Sequence, residues 1–390
     1  MNAPSGALLH GYPPADLQAA GGLATAREIA QQPALWRGLP PLVAASRVAL
    51  ASLVAPRPDR TELRLLLTGA GSSAFAGELL APSLARALRR RVDAVATTDL
   101  VSNPADFLAE DVPTLLVSLA RSGDSPESVA ATRLADAHLT DCRHLVVTCN
   151  ADGALARRHR DDARSLVLAM PPASHDAGFA MTSSFTCMAL SVLLALAPPL
   201  LPGPAVERLA AAAEHLLRRG GDVGRAVAGR RHERVVHLGS GPLKGLARES
   251  ALKLLELTAG RVATWFDSPL GFRHGPKAVV DDRTLVVVHL SADPYTRQYD
   301  EDIVTELRAS MPAGSVLTVT PGDIGTGPGG PPADPLADLD DAARGIVMVV
   351  FAQLLALHLS LAHGLTPDNP FPSGEVNRVV AGVTIHPQTP

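Results

Sequence analysis

The sequence predicts an α/β protein built from two doubly wound halves, and three observations predict it. Short apolar runs rich in Leu and Val alternate with helical patterns, as parallel strands covered on both faces do. The chain also repeats itself: Leu65-Leu-Leu-Thr-Gly-Ala-Gly-Ser72 matches Val235-Val-His-Leu-Gly-Ser-Gly-Pro242, with Gly69 and Gly71 falling 170 positions before Gly239 and Gly241. Finally, 46% of the 390 residues are hydrophobic, enough for one large or two mid-sized cores.

The repeat fixes the order of elements. The offset of 170 carries Thr114–Ser118 onto Thr284–Val288, and an offset of 171 carries Val146–Cys149 onto Leu317–Thr320. Each unit is a strand, a Gly/Ser turn and a helix, which divides the chain into residues 46–205 and 206–390. Residues 1–45 read as a helical arm, with Thr25 to Leu39 its helix. The apolar stretches Phe185–Leu201 and Gly345–Leu361 read as buried helices rather than membrane spans, because the first ends in Pro198-Pro199 and the second carries Gln353 and His358. Pro321–Pro335, with ten Gly or Pro in fifteen residues, reads as a loop.

Composition narrows the function. The net charge is -4, so no global field draws nucleic acid or an anionic membrane, and an anionic ligand needs a local site. Cys142, Cys149 and Cys187 form no CxxC pair and suit a reducing, cytoplasmic setting. Met1 to Leu23 lacks a signal-peptide pattern. Only three of the 35 basic residues are lysines, Lys244, Lys253 and Lys277, all within 34 residues, which marks places where a compact ammonium is wanted.

Two loops are built to hold an anion. Gly69-Ala-Gly-Ser-Ser-Ala74 follows a strand and opens a helix, offering Ser72 and Ser73. Ala120-Arg-Ser-Gly-Asp-Ser-Pro-Glu127 offers Arg121, Ser122 and Ser125, with Pro126 suited to a helix N1 position. The first loop also satisfies a dinucleotide fingerprint, but the ribose-binding acid has no convincing candidate in Asp93 or Asp99, and the hydroxyls suit a monophosphate better. Turn and cap roles explain any one of these residues equally well. Thr182, in Asp176-Ala-Gly-Phe-Ala-Met-Thr182-Ser-Ser-Phe-Thr186, opens an apolar helix as an N-cap or a ligand contact.

In the second half, Glu249, Lys253 and Glu256 fall at i, i+4 and i+7, one stripe of a helix. The stripe is either a solvated face or a carboxylate held ionised beside an ammonium and poised as a base. Downstream, Asp267-Ser-Pro-Leu-Gly-Phe-Arg-His-Gly-Pro-Lys277 orders Arg273, His274 and Lys277 with turn-formers, which makes His274 a candidate acid/base group.

Together GAGSS, RSGDSPES, ESALKLLELTAG and FRHGPK resemble the sugar isomerase (SIS) family of phosphosugar-binding domains. Within it they are most similar to the bacterial galactosamine-6-phosphate deaminase/isomerases, also labelled tagatose-6-phosphate ketose/aldose isomerases. The likeness extends from TAREIAQQPALW through TTDLVSNP, GFAMTSSFT and DPYTRQYD to VNRVVAGVTIHP.

The resemblance implies two SIS domains, each a five-stranded parallel, flavodoxin-like sheet flanked by helices. It places Ser73, Ser122 and Ser125 on phosphate or sugar-hydroxyl positions and Glu256 on the base that moves a proton between C1 and C2. Lys253 and Glu249 become its supporting charges, and His274 the ring-opening residue, supplied in the related glucosamine-6-phosphate synthase by the neighbouring subunit. That relative's second loop begins Ser-Gln-Ser where this chain has Ala120-Arg121-Ser122, so one hydroxyl is lost and a cation gained, and Arg121 is expected to contact phosphate; Arg378 is the candidate to replace a C-terminal lysine whose position aligns near Ala381. The implied activity is isomerising deamination of galactosamine 6-phosphate, without metal or cofactor, in a homodimer or higher homo-oligomer. The alternatives are a simple aldose/ketose isomerase, a glucosamine-6-phosphate deaminase, or a non-catalytic phosphosugar-binding regulator.

Overall fold

The computed structural model describes residues 8–55, 63–327, 333–380 and 382–387. Among the described residues ten strands form two five-stranded sheets. The first contains β1 (Arg64–Gly69), β2 (Val92–Ala96), β3 (Thr114–Ala120), β4 (Cys142–Thr148) and β5 (Ser165–Ala169) in the order β2-β1-β3-β4-β5. All its pairings are parallel. The second contains β6 (Arg234–Gly239), β7 (Ala263–Asp267), β8 (Thr284–His289), β9 (Val316–Val319) and β10 (Ile324–Gly325) in the order β10-β9-β8-β6-β7. That is the first order read from the other edge, so β6 to β10 stand for β1 to β5. The repeat extends to register, since Arg64 lies opposite Thr114 and Arg234 opposite Thr284.

Every residue of β1, β3, β4, β8 and β9 is buried, which explains why these strands read as continuous apolar runs without alternation. On one face of the first sheet Leu66, Leu116 and Cys142 pack with Ala131, Ala135 and Leu139 of the helix side. In the second, Val236, Leu238, Val286 and Val288 pack with Phe272, Ile303 and Leu307.

The second sheet departs from the expected all-parallel form, because β10 pairs antiparallel with β9. Residues 320–323 turn the chain back at once, with the Thr320 amide donating to the Asp323 carbonyl at 3.1 Å. A parallel return needs a crossover of about a dozen residues or more, for which there is no room here. The expected Pro321–Pro335 loop therefore holds a two-residue strand, and residues 328–332 of it lie outside the described residues.

The chain divides into two compact units, each built on one sheet. The described residues of 1–37 and of 176–183 group with 201–373 and the second sheet; those of 38–175, 184–200 and 374–390 group with the first. The N-terminal arm, whose main helix is Leu23–Arg37, thus belongs to the second-sheet unit, and the C-terminal tail belongs to the first rather than to the half that precedes it.

The helix Asp341–Ala362 is, among the described residues, the one long and apolar enough to cross a membrane. It is buried for 89% of its most apolar window, packed against the helices Ala205–Ala228 and Pro242–Leu257 of its own unit. All three cysteines are buried thiols.

The duplicated turn carries a backbone requirement. Gly71 adopts φ 55°, ψ −127° and Gly241 φ 54°, ψ −125°, a region closed to side-chain-bearing residues. A Cβ at either position would meet no atom within 4 Å, so the conformation alone demands glycine. Gly71→Ala and Gly241→Ala should each lower the unfolding free energy by about 1–3 kcal/mol in denaturant titrations. Unchanged midpoints would show that the turn is not strained for alanine.

Candidate active site

In an open parallel sheet, ligands bind beyond the strand carboxyl ends where the strand order reverses. In the first sheet that point lies between β1 and β3, and the two Gly/Ser loops leave those strands. Ser72 and Ser73 begin the helix Ser72–Leu88 and are buried. Gly69 is fixed by close approach, since a Cβ there would stand 2.5 Å from the Ser73 Cβ and 2.9 Å from the Leu119 carbonyl oxygen.

After β3, Gly123 takes φ 67°. The Asp124 carboxylate accepts from the Ala154 amide at 2.8 Å and from Asn150 Nδ2 at 3.3 Å, which ties this loop to the one after β4. Ser122 Oγ accepts from the Asp124 amide at 3.3 Å, and Ser125 Oγ lies 2.6 Å from Ser128 Oγ. Arg121 is buried, and its guanidinium donates to the backbone carbonyl of Arg378 at 2.6 Å. The tail therefore brings a carbonyl to Arg121, while Arg378 itself is exposed. Ala381 lies outside the described residues.

Thr182 lies in the other unit and is engaged locally. Asp176 accepts from its hydroxyl at 2.9 Å, from its amide at 2.8 Å and from the Ser183 amide at 3.0 Å, so Asp176 caps the helix Ser183–Leu196.

The charged stripe lies on the helix Pro242–Leu257, and it is not a solvated face. Glu249 and Lys253 have no solvent exposure, and the Glu256 side chain is 23% exposed. Lys253 Nζ donates to Glu256 Oε2 at 2.6 Å and sits 3.4 Å from Glu249 Oε1. A buried ammonium requires such pairing. Two carboxylates against one ammonium leave the stripe with a formal excess of one negative charge, and Glu256 is its more exposed end. The arrangement fixes a half-open carboxylate by an ion pair where it can reach a proton on a bound molecule.

His274 follows the helix Pro269–Phe272, whose N-cap Ser268 accepts from the Gly271 amide at 3.1 Å. The imidazole is exposed. Gly275 takes φ 123°, and Glu306 pairs with Arg273 at 2.9 Å and with Lys277, bracing both flanks of the histidine. Each of the three lysines thus holds a carboxylate: Lys244 lies 3.1 Å from Asp267, Lys253 joins the stripe, and Lys277 pairs with Glu306.

Residues 60–198 match the SIS domain family. A D-galactosamine-6-phosphate deaminase AgaS of Escherichia coli is 46% identical over 96% of this chain and 98% of its own. A Streptomyces coelicolor protein carrying the same name in provisional form is 60% identical over 93% of this chain and 95% of its own. The chain belongs to the D-galactosamine-6-phosphate deaminase AgaS family. Among solved structures, tagatose-6-phosphate ketose/aldose isomerase from Escherichia coli superimposes with a TM-score of 0.85 at 43% identity, covering 95% of this chain and 98% of that one.

Within this AgaS-family chain the acid once weighed for a nucleotide ribose has another duty. Asp93 pairs with Arg64 at 2.6 Å and Arg91 at 2.9 Å, near the start of β2 rather than at its carboxyl end. One group among the described residues, Asp136, Cys142 and His144, places metal-type donor atoms within 4.8 Å of one another. Asp136 is already taken up by His144 at 3.0 Å, Arg158 at 3.2 Å and Arg164 at 3.4 Å, so two guanidiniums stand where a cation would go.

Sequence reasoning missed Glu28, which lies on the arm helix with no local pattern to mark it. Its carboxylate accepts from the Ala177 amide at 2.5 Å and the Gly178 amide at 3.2 Å. Burial raises its pKa to about 7, with Asp176 and Asp368 adding to the rise and the two amides opposing it. A carboxyl raised above its unfolded value favours the protonated fold, so ionisation removes stability as pH climbs from about 4.5 through about 7. Glu28→Gln should therefore raise unfolding free energy at pH 8 by up to about 3 kcal/mol, with the gain vanishing near pH 4. Denaturant titration at both values checks this, and an equal effect at both would contradict it.

Proposed function

We propose that this protein converts D-galactosamine 6-phosphate and water to D-tagatose 6-phosphate and ammonium; its AgaS relatives are named as deaminases of that amino-sugar phosphate. The observation that carries the reading is the stripe: a fully buried lysine paired with a fully buried glutamate and with a second glutamate that reaches solvent.

The proposed sequence balances without a redox step. His274 protonates the ring oxygen and opens the pyranose to the C1 aldehyde. Glu256 takes the C2 proton while the C1 oxygen gains one from solvent, giving an enolamine, and returns a proton to C1, which leaves a protonated imine at C2. Water adds to that carbon, ammonia departs, and the C2 ketone remains. Lys253 holds the Glu256 carboxylate in place through their ion pair, and Glu249 is the second carboxylate that balances the buried ammonium. Ser73, Arg121, Ser122 and Ser125, with Ser72 beside them, take the phosphate, whose binding energy comes from a part of the substrate that does not react. The wider reading has two SIS domains in each chain, a homodimer in which His274 serves the neighbouring subunit, and a cytoplasmic setting.

The isomerase named for the Escherichia coli structure would use the same proton transfer on a hydroxy sugar, without release of ammonia. The two readings separate in one assay that follows ammonia and ketohexose phosphate from galactosamine 6-phosphate, with glucosamine 6-phosphate beside it. Ammonia and ketose should appear in equal amounts from the galacto substrate. Glu256→Gln should lower kcat by about a thousandfold or more while leaving affinity for tagatose 6-phosphate within a few-fold. A fully active Gln variant would remove Glu256 from the mechanism.

A further inference from the structure

The duplication poses a question that the first-sheet loops do not answer: what the equivalent loops of the second sheet hold. The turn after β6, Gly239-Ser240-Gly241, has the same backbone form as the turn after β1. Its hydroxyls have changed, since Pro242 and Leu243 stand where the first copy has Ser72 and Ser73. The loop after β8 begins Leu290-Ser291-Ala292, in the place of Ala120-Arg121-Ser122.

Both second-sheet loops donate to one carboxylate, that of Asp300, which is wholly buried. Ser240 Oγ donates to Asp300 Oδ1 at 2.6 Å, and the Ser291 amide donates to Asp300 Oδ2 at 2.9 Å. Asp300 comes from the helix Pro294–Ser310, which follows β8 as the helix Pro126–His138 follows β3. A second carboxylate, Asp341, accepts from the Ser291 hydroxyl and, at 2.9 Å, from the Ala292 amide, and Arg344 closes over it. One hydroxyl and one amide, from two loops at a strand-order reversal, converging on separate oxygens of one anion, is the build of an oxyanion receptor. Burial raises the Asp300 carboxyl to about 6 while the two donors pull it back, so the group remains largely an anion at neutral pH.

We infer that the loop pair of the second sheet is an oxyanion receptor whose ligand is the chain's own Asp300 carboxylate, so that each chain takes a single phosphosugar, at the first sheet. The second clause rests on the proposed function; the first does not. The duplication thus yields one loop pair open to phosphate and one closed from within.

The test is the amount of inorganic phosphate bound per chain at saturation, by equilibrium dialysis of the full-length protein. Wild type should bind one equivalent. Asp300→Ala, which suits its helical position, should bind two, and adding Ser240→Ala should return the count to one. Two equivalents in wild type, or no gain in a folded Asp300→Ala protein, would overturn the inference. If Asp300→Ala fails to fold, Arg121→Ala/Ser122→Ala serves instead: loss of all phosphate supports a closed second receptor, and one retained equivalent overturns it. A wild type that binds none while Asp300→Ala binds one would leave the closed receptor standing and count against phosphate at the first sheet.

Discussion

An ammonium without solvent is the constraint around which the second-sheet unit is arranged. Taking a lysine charge out of water costs several kcal/mol unless ionised partners surround it, and removing one partner leaves an unbalanced buried charge. Lys253 meets that requirement with Glu249 and Glu256, four residues before it and three after on one helix. Apolar packing of that helix against β6, β7 and the helix Asp341–Ala362 removes water from Glu249 and Lys253 and leaves Glu256 partly open. The same packing that makes the pairing obligatory also fixes which carboxylate reaches solvent, which is why the stripe reads as chemistry rather than as a surface ion pair.

A duplicated fold lets the two copies diverge in what they hold. The Gly-x-Gly turns keep their shared dihedral angles because only glycine adopts them without strain, whatever ligand follows. Side chains around the turns changed freely: Ser72 and Ser73 in one copy, Pro242 and Leu243 in the other. Backbone geometry has outlasted chemistry here, and the second copy's donors are satisfied by Asp300 rather than left bare, as buried polar groups must be.

The strands and their duplication were legible in the sequence because buried parallel strands leave continuous apolar runs and because the offset of 170 repeats them, whereas the register of each pairing came only with the structure. The direction of β10 was not legible either, since a four-residue return and a two-residue strand carry no periodicity to detect. The stripe was legible as spacing, but whether Glu249 and Lys253 faced water depended on what packs over the helix. Arg378 shows the limit of alignment by residue type: the structure brings its carbonyl to Arg121, not its charge. Glu28 and Asp300 lie in TAREIAQQPALW and DPYTRQYD, which carry the family likeness, but the duties of the two carboxylates were invisible for a common reason. Their partners lie 149 positions away at Ala177 and 60 positions away at Ser240, and nothing in the local sequence of an amphipathic helix distinguishes such an acid from an exposed one.

The central claim is that one carboxylate moves a proton between C2 and C1, and the fate of a label at C2 tests it most directly. With galactosamine 6-phosphate deuterated at C2, the account predicts that the deuterium leaves C2 during turnover and appears in part at C1 of tagatose 6-phosphate, the rest being lost to solvent. Product that keeps all of the deuterium at C1 with none lost to solvent, the mark of a direct hydride shift, would contradict it.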